Sequence, residues 1–186
     1  MPKGKLTVIS GCMFSGKTAR LIECLTAARR AGQRTLACKH RLDKRYDASA
    51  LITHDGRRFP ARAVETAEEI LRLAADCQLI GIDEGQFFGR ALLPACDMLL
   101  GRSTDVIVAG IDHDAWGQPF PPLPELCLRA DAVERLSAPC TVCGRPAAFS
   151  QRMVPVVNGQ MVGGPDEYQP RCREHFRPLP PPAPNY

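Results

Sequence analysis

The fold is decided by one stretch near the N-terminus, Gly11-Cys12-Met13-Phe14-Ser15-Gly16-Lys17-Thr18. Its pattern, Gly-x-x-x-x-Gly-Lys-Thr, is typical of a loop that binds nucleotide phosphates (P-loop). Glycine lets the backbone turn and approach a ligand closely, so successive N–H groups can point at phosphate oxygens, and the next helix adds its positive N-terminal end. Lys17 would then reach the β- and γ-phosphates, and the Thr18 hydroxyl would hold Mg²⁺. The alternative is an ordinary glycine-rich turn.

Strand-like and helix-like segments alternate from residue 5 to about residue 136. Apolar residues at helical spacing predict a helix over 18–31 that stops at Gly32, and Thr66 is expected to cap a helix that runs to Ala74. Another helix is predicted over 91–100. The predicted strands are Lys5–Ile9, Thr35–Cys38, Leu79–Asp83 and Val106–Ala109. This order predicts an α/β domain over residues 1–136, with a mostly parallel sheet and helices on its faces.

Two segments between these elements are harder to assign. The polar stretch Lys39–Gly56 is long for a plain connection, so we expect a functional or flexible loop. The following residues, Arg57–Val64, are expected to form a short strand pair at an edge of the sheet.

A second element of a phosphate site ends the strand Leu79–Asp83. Ligands bind at the carboxyl ends of parallel strands, which would place Asp83 beside the P-loop, where its carboxylate can hold the Mg²⁺ shell. Glu84 follows immediately, and its different backbone direction allows it to face an acceptor hydroxyl and accept its proton. The alternative is a pair of acids that caps a helix.

Two cysteine knuckles, Cys140-x-x-Cys143 and Cys172-x-x-His175, have the spacing of a tetrahedral Zn²⁺ site. A Cys₃His set leaves no open position, so the predicted zinc is structural. The alternatives are two incidental pairs or a redox dithiol. The other cysteines are expected to be reduced, buried hydrophobes, namely Cys12, Cys24, Cys38, Cys77, Cys96 and Cys127.

Composition excludes several classes of protein. The 186 residues suggest one domain with a small appendage, and a net charge of +4 is too modest to predict nucleic-acid binding. No apolar stretch approaches the roughly 20 residues of a membrane helix, and the N-terminus lacks a secretory signal pattern. We therefore expect a cytoplasmic protein that binds neither nucleic acid nor membrane.

The character of the chain changes near Ser137. Residues 137–178 combine glycines and prolines with the paired cysteines, which indicates a small zinc-binding module. Residues 179–186 are mostly proline and are expected to form a disordered tail.

Together these stretches resemble the type II thymidine kinases, a cytosolic family with a RecA-like P-loop domain and a zinc-bearing lasso. The resemblance runs from about Lys5 to His175. Beyond the P-loop and the knuckles, it rests on the following stretches: Asp43–Tyr46, Thr53–Gly56, Asp83–Phe88, Ala109–Asp112 with Pro119-Phe120, and Val162–Tyr168.

The resemblance implies a role for each matching residue. Glu84 would be the catalytic base that takes the proton from the sugar 5′-hydroxyl, and the zinc ligands would be Cys140, Cys143, Cys172 and His175. Binding of ATP, its phosphates and Mg²⁺ would fall to Gly11–Thr18, Arg45, Asp83 and Gln86. Binding of the nucleoside would fall to Met13, Phe87, Ile111, Phe120, Ser150, Val162, Gly163 and Tyr168. A lasso over about 149–168 would close on the base. On its residues alone, Tyr168 is plausible as a wall of the base pocket, and the alternative is a core tyrosine.

One place departs from the family pattern. Where an aromatic residue followed by arginine is usual, this chain has Ala115 and Trp116. Either Trp116 supplies the ring from a shifted position or that wall of the pocket is open.

The resemblance implies a kinase that uses ATP and Mg²⁺ to phosphorylate thymidine, and also deoxyuridine, in nucleotide salvage for DNA synthesis. It also implies a homotetramer inhibited by dTTP. Two rivals are a P-loop ATPase that acts on nucleic acid and a zinc-ribbon binding module with a decayed nucleotide site. The presence of Lys17, Thr18 and Glu84 argues against decay.

Overall fold

The computed structural model describes residues 3–43, 49–53, 55–155 and 163–180. Its N-terminal part alternates strands and helices, as predicted. In chain order these elements are β1 (Leu6–Gly11), α1 (Lys17–Arg30), β2 (Thr35–His40), β3 (Ala50–Ile52), β4 (Arg58–Pro60), β5 (Arg62–Val64), α2 (Ala67–Leu73), β6 (Leu79–Asp83), α3 (Leu92–Gly101), β7 (Asp105–Gly110), α4 (Leu123–Arg129) and β8 (Ala132–Leu136). A 3₁₀ segment, Gly85–Ala91, connects β6 to α3.

Six of these strands form one sheet in the order β5-β2-β6-β7-β1-β8, and each neighbouring pair is parallel. The predicted α/β class with a mostly parallel sheet is therefore confirmed. Because every strand runs the same way, all six carboxyl ends lie along one edge. The P-loop follows β1 there, and Asp83 closes β6 at the same edge.

The two faces of the sheet account for the unbroken apolar strands. In β6 and β7, alternate residues Ile80, Ile82, Val106 and Val108 pack in one buried cluster with residues of α2, α3 and α4. Leu79, Ile107 and Ala109 of the same strands belong to a second cluster, which includes residues of α1 and of the β3–β4 hairpin. Since side chains alternate across a strand, a sheet covered on both faces requires apolar residues at nearly every position.

Two sequence predictions need correction around the first long connection. The stretch Lys39–Gly56 is not all loop, because β2 continues to His40 and Ala50–Ile52 forms β3. The segment Arg57–Val64 does contain two strands, but they do not pair with each other. Instead, β4 pairs antiparallel with β3, and β5 pairs parallel with β2 at the edge of the main sheet. The predicted cap is present, since the Glu69 N–H donates to Thr66 Oγ1 over 3.3 Å.

The C-terminal part consists of two small antiparallel ladders. They are β9 (Ala138–Pro139) with β10 (Pro146–Ala147), and β11 (Phe149–Arg152) with β12 (Tyr168–Arg171). Their buried core includes Cys140, Ala147 and Cys172, and it also includes Cys12 from the P-loop. The phosphate loop and the cysteine module thus share one hydrophobic core.

Among the described residues, no helix is both long enough and apolar enough to cross a membrane.

The packing of α1 on β6 generates a first prediction. A Cβ on Gly81 would lie 2.7 Å from Leu25 Cδ1 and 2.9 Å from Leu21 Cδ1. We expect Gly81→Ala to lower the free energy of unfolding by about 1–3 kcal/mol in urea denaturation, because this added methyl overpacks the core.

The matched control is Gly101→Ala, since a Cβ at Gly101 meets nothing within 4 Å. It should change stability by no more than about 0.5 kcal/mol. Equal effects of the two variants would contradict the tight contact between α1 and β6.

Candidate active site

A cavity of about 310 Å³ opens at the carboxyl edge of the sheet. Its walls come from six places: the P-loop with the start of α1, the end of β2 with Asp43, the β3–β4 region, the end of β6 with the 3₁₀ segment, Ile111 after β7, and the turn at Gly163–Pro165. The topology thus brings together residues that are as far apart in sequence as Met13 and Gly163.

The P-loop has the backbone needed to surround phosphate groups. Phe14 and Gly16 have positive φ angles of 64° and 86°, so the loop turns back on itself before α1 begins at Lys17. The buried Lys17 ammonium donates to the Cys12 carbonyl over 2.7 Å. The Ser15 hydroxyl is buried and has no hydrogen-bond partner among the described residues. The turned backbone and the lysine at its end fit a phosphate-binding loop.

Asp83 joins the P-loop helix to the central sheet. Its Oδ2 accepts a hydrogen bond of 2.9 Å from Thr18 Oγ1, and its side chain is 4% exposed. Burial, followed by the neighbouring charge of Glu84, raises the pKa of Asp83 to about 7. A hydroxyl and a carboxylate at this separation are hard oxygen donors of the kind that Mg²⁺ prefers, and a nearby cation favours the charged carboxylate.

Glu84 leaves the strand in a left-handed conformation, with φ 52° and ψ 45°. A residue other than glycine adopts this conformation at a cost of about 1–2 kcal/mol, which is characteristic of functional positions. The Glu84 N–H turns back to donate to Asp83 Oδ1 over 3.1 Å, while both side chains line the cavity. The two adjacent acids therefore occupy different positions in one cavity and do not form a simple helix cap.

Gln86 holds the Glu84 carboxylate in place. Its buried amide donates to Glu84 Oε2 over 2.6 Å and accepts from the Ile111 N–H over 3.2 Å. Gly110 makes room for this amide, since a Cβ there would lie 2.6 Å from Gln86 Oε1. Gln86 thus ties the acid at the end of β6 to the end of β7.

The structure brings most of the predicted ATP-site residues to the cavity wall. Lining residues from that set are Met13, Phe14, Gly16, Lys17, Thr18, Asp83 and Gln86. Gly11, Cys12 and Ser15 belong to the loop but are not lining residues. Arg45 lies outside the described residues, so its role stays a prediction.

The predicted nucleoside residues divide into two groups. Met13, Phe87, Ile111 and Gly163 line the cavity, whereas Phe120, Ser150 and Tyr168 do not; Val162 lies outside the described residues. Two residues of the second group, Ser150 and Tyr168, lie directly behind the cavity wall. Ser150 Oγ accepts a hydrogen bond of 2.8 Å from the Met13 N–H, and the Tyr168 ring packs behind Gly163.

Trp116 does not line this cavity. Together with the buried Ala115, it lies at a much smaller cavity that Arg152, Val154, Leu179 and Pro180 also line. Within the described part of the chain, the indole therefore does not replace a ring in the main cavity. The predicted disorder of 179–186 stays a prediction, and residues 181–186 lie outside the described ranges.

Several residues that the sequence analysis did not single out also line the cavity. Lys39 is 2% exposed and lies in register with Asp83 on the neighbouring strand, and Asp43 is also buried there. The sequence could have indicated that Lys39 belongs to the site, because it follows the buried run Thr35–Cys38 at the carboxyl end of a parallel strand. The lining residues Leu51 and Arg57 gave no such signal, since only the folded hairpin brings them there.

The four knuckle residues form one cluster. The three sulfur atoms and a ring nitrogen of His175 all lie within 4.8 Å of one another. Burial on its own would raise the pKa of Cys140, but hydrogen bonds from backbone N–H groups and from His175 lower it to about 5. Arg145 likewise lowers the pKa of Cys143 through a hydrogen bond. Stabilised thiolates beside an imidazole fit a structural Zn²⁺ site.

Comparison with known proteins adds an independent line of support. The family model described as "Thymidine kinase" matches residues 4–176. The thymidine kinase of Rhodothermus sp. (strain ITI 518) is 42% identical over 175 residues, which cover 94% of this chain and 82% of that protein. The thymidine kinase of Coprothermobacter proteolyticus is 44% identical over 181 residues, covering 92% of this chain and 90% of that protein.

The comparison with solved structures gives only a distant likeness. The replication initiator DnaA bound to AMPPCP and single-stranded DNA superposes with a TM-score of 0.45 at 12% identity, over 72% of this chain and 40% of that chain. This likeness has no bearing on function.

Metal analysis tests the cysteine cluster. We expect about one zinc per chain in the purified protein, and we expect Cys143→Ser to lose it, because three ligands hold zinc less tightly than four. Cys143 is exposed, so its replacement leaves core packing intact.

Cys24→Ser, at a half-buried cysteine outside the cluster, is the control and should retain its zinc. A folded, zinc-free wild-type protein would show that the cluster is not a metal site.

Proposed function

Because the chain belongs to the thymidine kinase family, we propose that it transfers the γ-phosphate of ATP to the 5′-hydroxyl of thymidine, and also of deoxyuridine. The product would be the monophosphate used in nucleotide salvage for DNA synthesis. The observation that carries this proposal is the placement of Glu84. Its carboxyl group shares one cavity with Lys17, Thr18 and Asp83 and is held by Gln86.

The P-loop, Asp83 and Arg45 have distinct tasks in this reaction. Loop N–H groups and the Lys17 ammonium bind the phosphates and stabilise the charge that develops on the transferred group. Thr18 and Asp83 would hold Mg²⁺, which when bound neutralises charge between the β- and γ-phosphates. Arg45 is proposed to act near the transferred phosphate on the basis of the family resemblance alone.

Glu84 is proposed as the general base. Its carboxylate accepts the proton of the 5′-hydroxyl as the oxygen attacks the γ-phosphorus, and the bond between that phosphorus and the bridging oxygen of ADP breaks. The Gln86 amide orients the carboxylate by donating to its Oε2. The left-handed backbone at Glu84 separates its side chain from that of Asp83, which would hold the cation with Thr18.

The nucleoside would occupy the end of the cavity near the lasso. Met13, Phe87 and Ile111 provide apolar contact for a base, and Gly163 brings backbone groups to the same wall. Backbone polar groups suit base recognition because the fold fixes their geometry. Phe120, Ser150, Val162 and Tyr168 remain in the proposed nucleoside set on the family resemblance, and of these Ser150 and Tyr168 lie directly behind this wall.

A P-loop ATPase that acts on nucleic acid is not favoured. The family match spans residues 4–176, and the acidic pair at the cavity suits an acceptor hydroxyl better than a phosphate backbone. The family resemblance also supports a homotetramer inhibited by dTTP, which carries the same base and sugar as the substrate. The cytoplasmic location and the division into 1–136, 137–178 and 179–186 stay proposals.

A nucleoside panel with γ-labelled ATP tests the proposal. We expect label in the monophosphates of thymidine and deoxyuridine, dependent on Mg²⁺, and no stimulation of ATP hydrolysis by single-stranded DNA. Hydrolysis that DNA stimulates, with no labelled nucleotide, would overturn it in favour of the ATPase.

Replacement of the proposed base gives a second test. Glu84→Gln should bind thymidine normally in calorimetry but lose about 10²–10⁴-fold in kcat, because the amide cannot accept the proton. Glu68→Gln, at an exposed acid in the first turn of α2, is the control and should behave as wild type. Wild-type turnover in Glu84→Gln would exclude this residue as the base.

A further inference from the structure

We propose that Arg152 is a positioning residue for the nucleoside site, an inference that rests on the proposed kinase function. Arg152 lines no part of the main cavity. It holds the Tyr168 ring, and the ring in turn supports the wall of the cavity at Gly163.

The contacts of Arg152 point in two directions from one guanidinium group. Nη1 donates to the Tyr168 hydroxyl over 2.8 Å, and Nε donates to the Val154 carbonyl over 3.0 Å. The centre of the guanidinium also lies 5.0 Å from the centroid of the Tyr168 ring. Arg152 is 7% exposed, so these bonds form away from bulk water, where a charged donor binds more strongly.

These two contacts lie on opposite sides of the proposed lasso. Val154 follows β11 on the way out, and Tyr168 opens β12 on the way back. Arg152 and Tyr168 are also register partners in the β11–β12 ladder. One side chain therefore fixes the outgoing and the returning strand relative to each other.

The position of the Tyr168 ring determines the position of the cavity wall at Gly163. A Cβ on Gly163 would lie 2.9 Å from Tyr168 Cε2, so the glycine backbone rests directly against the ring. Tyr168 and Gly164 are joined by a hydrogen bond of 3.0 Å from the Tyr168 N–H to the Gly164 carbonyl. Gly163 and Gly164 both line the cavity. A displaced ring would therefore move the backbone that faces the nucleoside.

Arginine is required at this position because its planar fork can satisfy two acceptors at fixed angles. Lysine carries a single ammonium on a flexible stem, so it would lose one of the two hydrogen bonds. The hydrogen bonds of Arg152 go to Tyr168 and Val154, neither of which is a phosphate-binding residue. A loss at Arg152 should therefore weaken binding of the nucleoside and leave binding of ATP unchanged.

Steady-state kinetics of Arg152→Lys, Tyr168→Phe and the double variant test this inference. We expect each single variant to raise the KM for thymidine by about tenfold, as expected for loss of a charge-assisted hydrogen bond. Tyr168→Phe removes the hydroxyl that accepts from Arg152, and Arg152→Lys removes the guanidinium that donates to it. The double variant should therefore be no worse than the more impaired single variant. The KM for ATP should not change, and kcat at saturating thymidine should stay within a factor of about three.

Arg177→Lys is the control within the same module, since its side chain is exposed and, within the described ranges, its guanidinium donates to the neighbouring Phe176 carbonyl alone. It should match the wild type. Zinc content and thermal unfolding report whether each variant is folded; if Arg152→Lys is not, Tyr168→Phe carries the test alone.

Three results would overturn the inference: an unchanged thymidine KM, additive effects in the double variant, or a parallel rise in the KM for ATP. In each case the wild type still phosphorylates thymidine, so the proposed function survives. A wild type that phosphorylates no nucleoside would overturn both.

Discussion

The hydrogen bond from Thr18 to Asp83, 2.9 Å long, joins the first turn of α1 to the end of β6. It can form only because β1 and β6 run parallel and finish at the same edge of the sheet. The same constraint brings Glu84, Gln86 and the end of β7 beside the P-loop. The reactive groups are therefore positioned by the ends of strands and by the segments that directly follow them, which hold a site more precisely than separate loops do.

A second junction links the phosphate loop to the cysteine module. The Met13 N–H donates to Ser150, and the Cys12 thiol donates to the Ala147 carbonyl over 3.4 Å. Cys12 also packs in the core of that module. Ser150, which is predicted to lie near the base, and the loop predicted to bind phosphate are thus joined by a direct hydrogen bond. In the proposed function, this junction fixes the distance between the two substrates.

Sequence reasoning succeeded where chemistry depends on local spacing. The P-loop, the Asp83-Glu84 pair and the two knuckles each lie within a few residues, and the structure brings every one of them together. It failed for β3, because three apolar residues inside a polar stretch do not outweigh the polar residues around them. The hairpin forms because Ala50 and Leu51 are buried in the folded chain, where Leu51 packs in one cluster with residues of α1. This is a tertiary effect.

The remaining features of the site depend on contacts between distant residues. The left-handed backbone at Glu84, the bridge that Gln86 makes to Ile111 and the hold of Arg152 on Tyr168 all require several elements to be in place at once. Gln86 belongs to a stretch that resembles the family, but the residues next to it in the sequence do not predict which hydrogen bonds it makes. The position of Trp116, away from the main cavity, likewise became clear only in the folded chain.

A crystal structure with thymidine and a non-hydrolysable ATP analogue tests the central claim most directly. The account predicts the 5′-hydroxyl within about 2.6–3.2 Å of the Glu84 carboxylate, in line with the γ-phosphorus, while Asp83 stays with Thr18 at the cation. A nucleoside bound elsewhere, or a Glu84 carboxylate turned away from the hydroxyl, would contradict it.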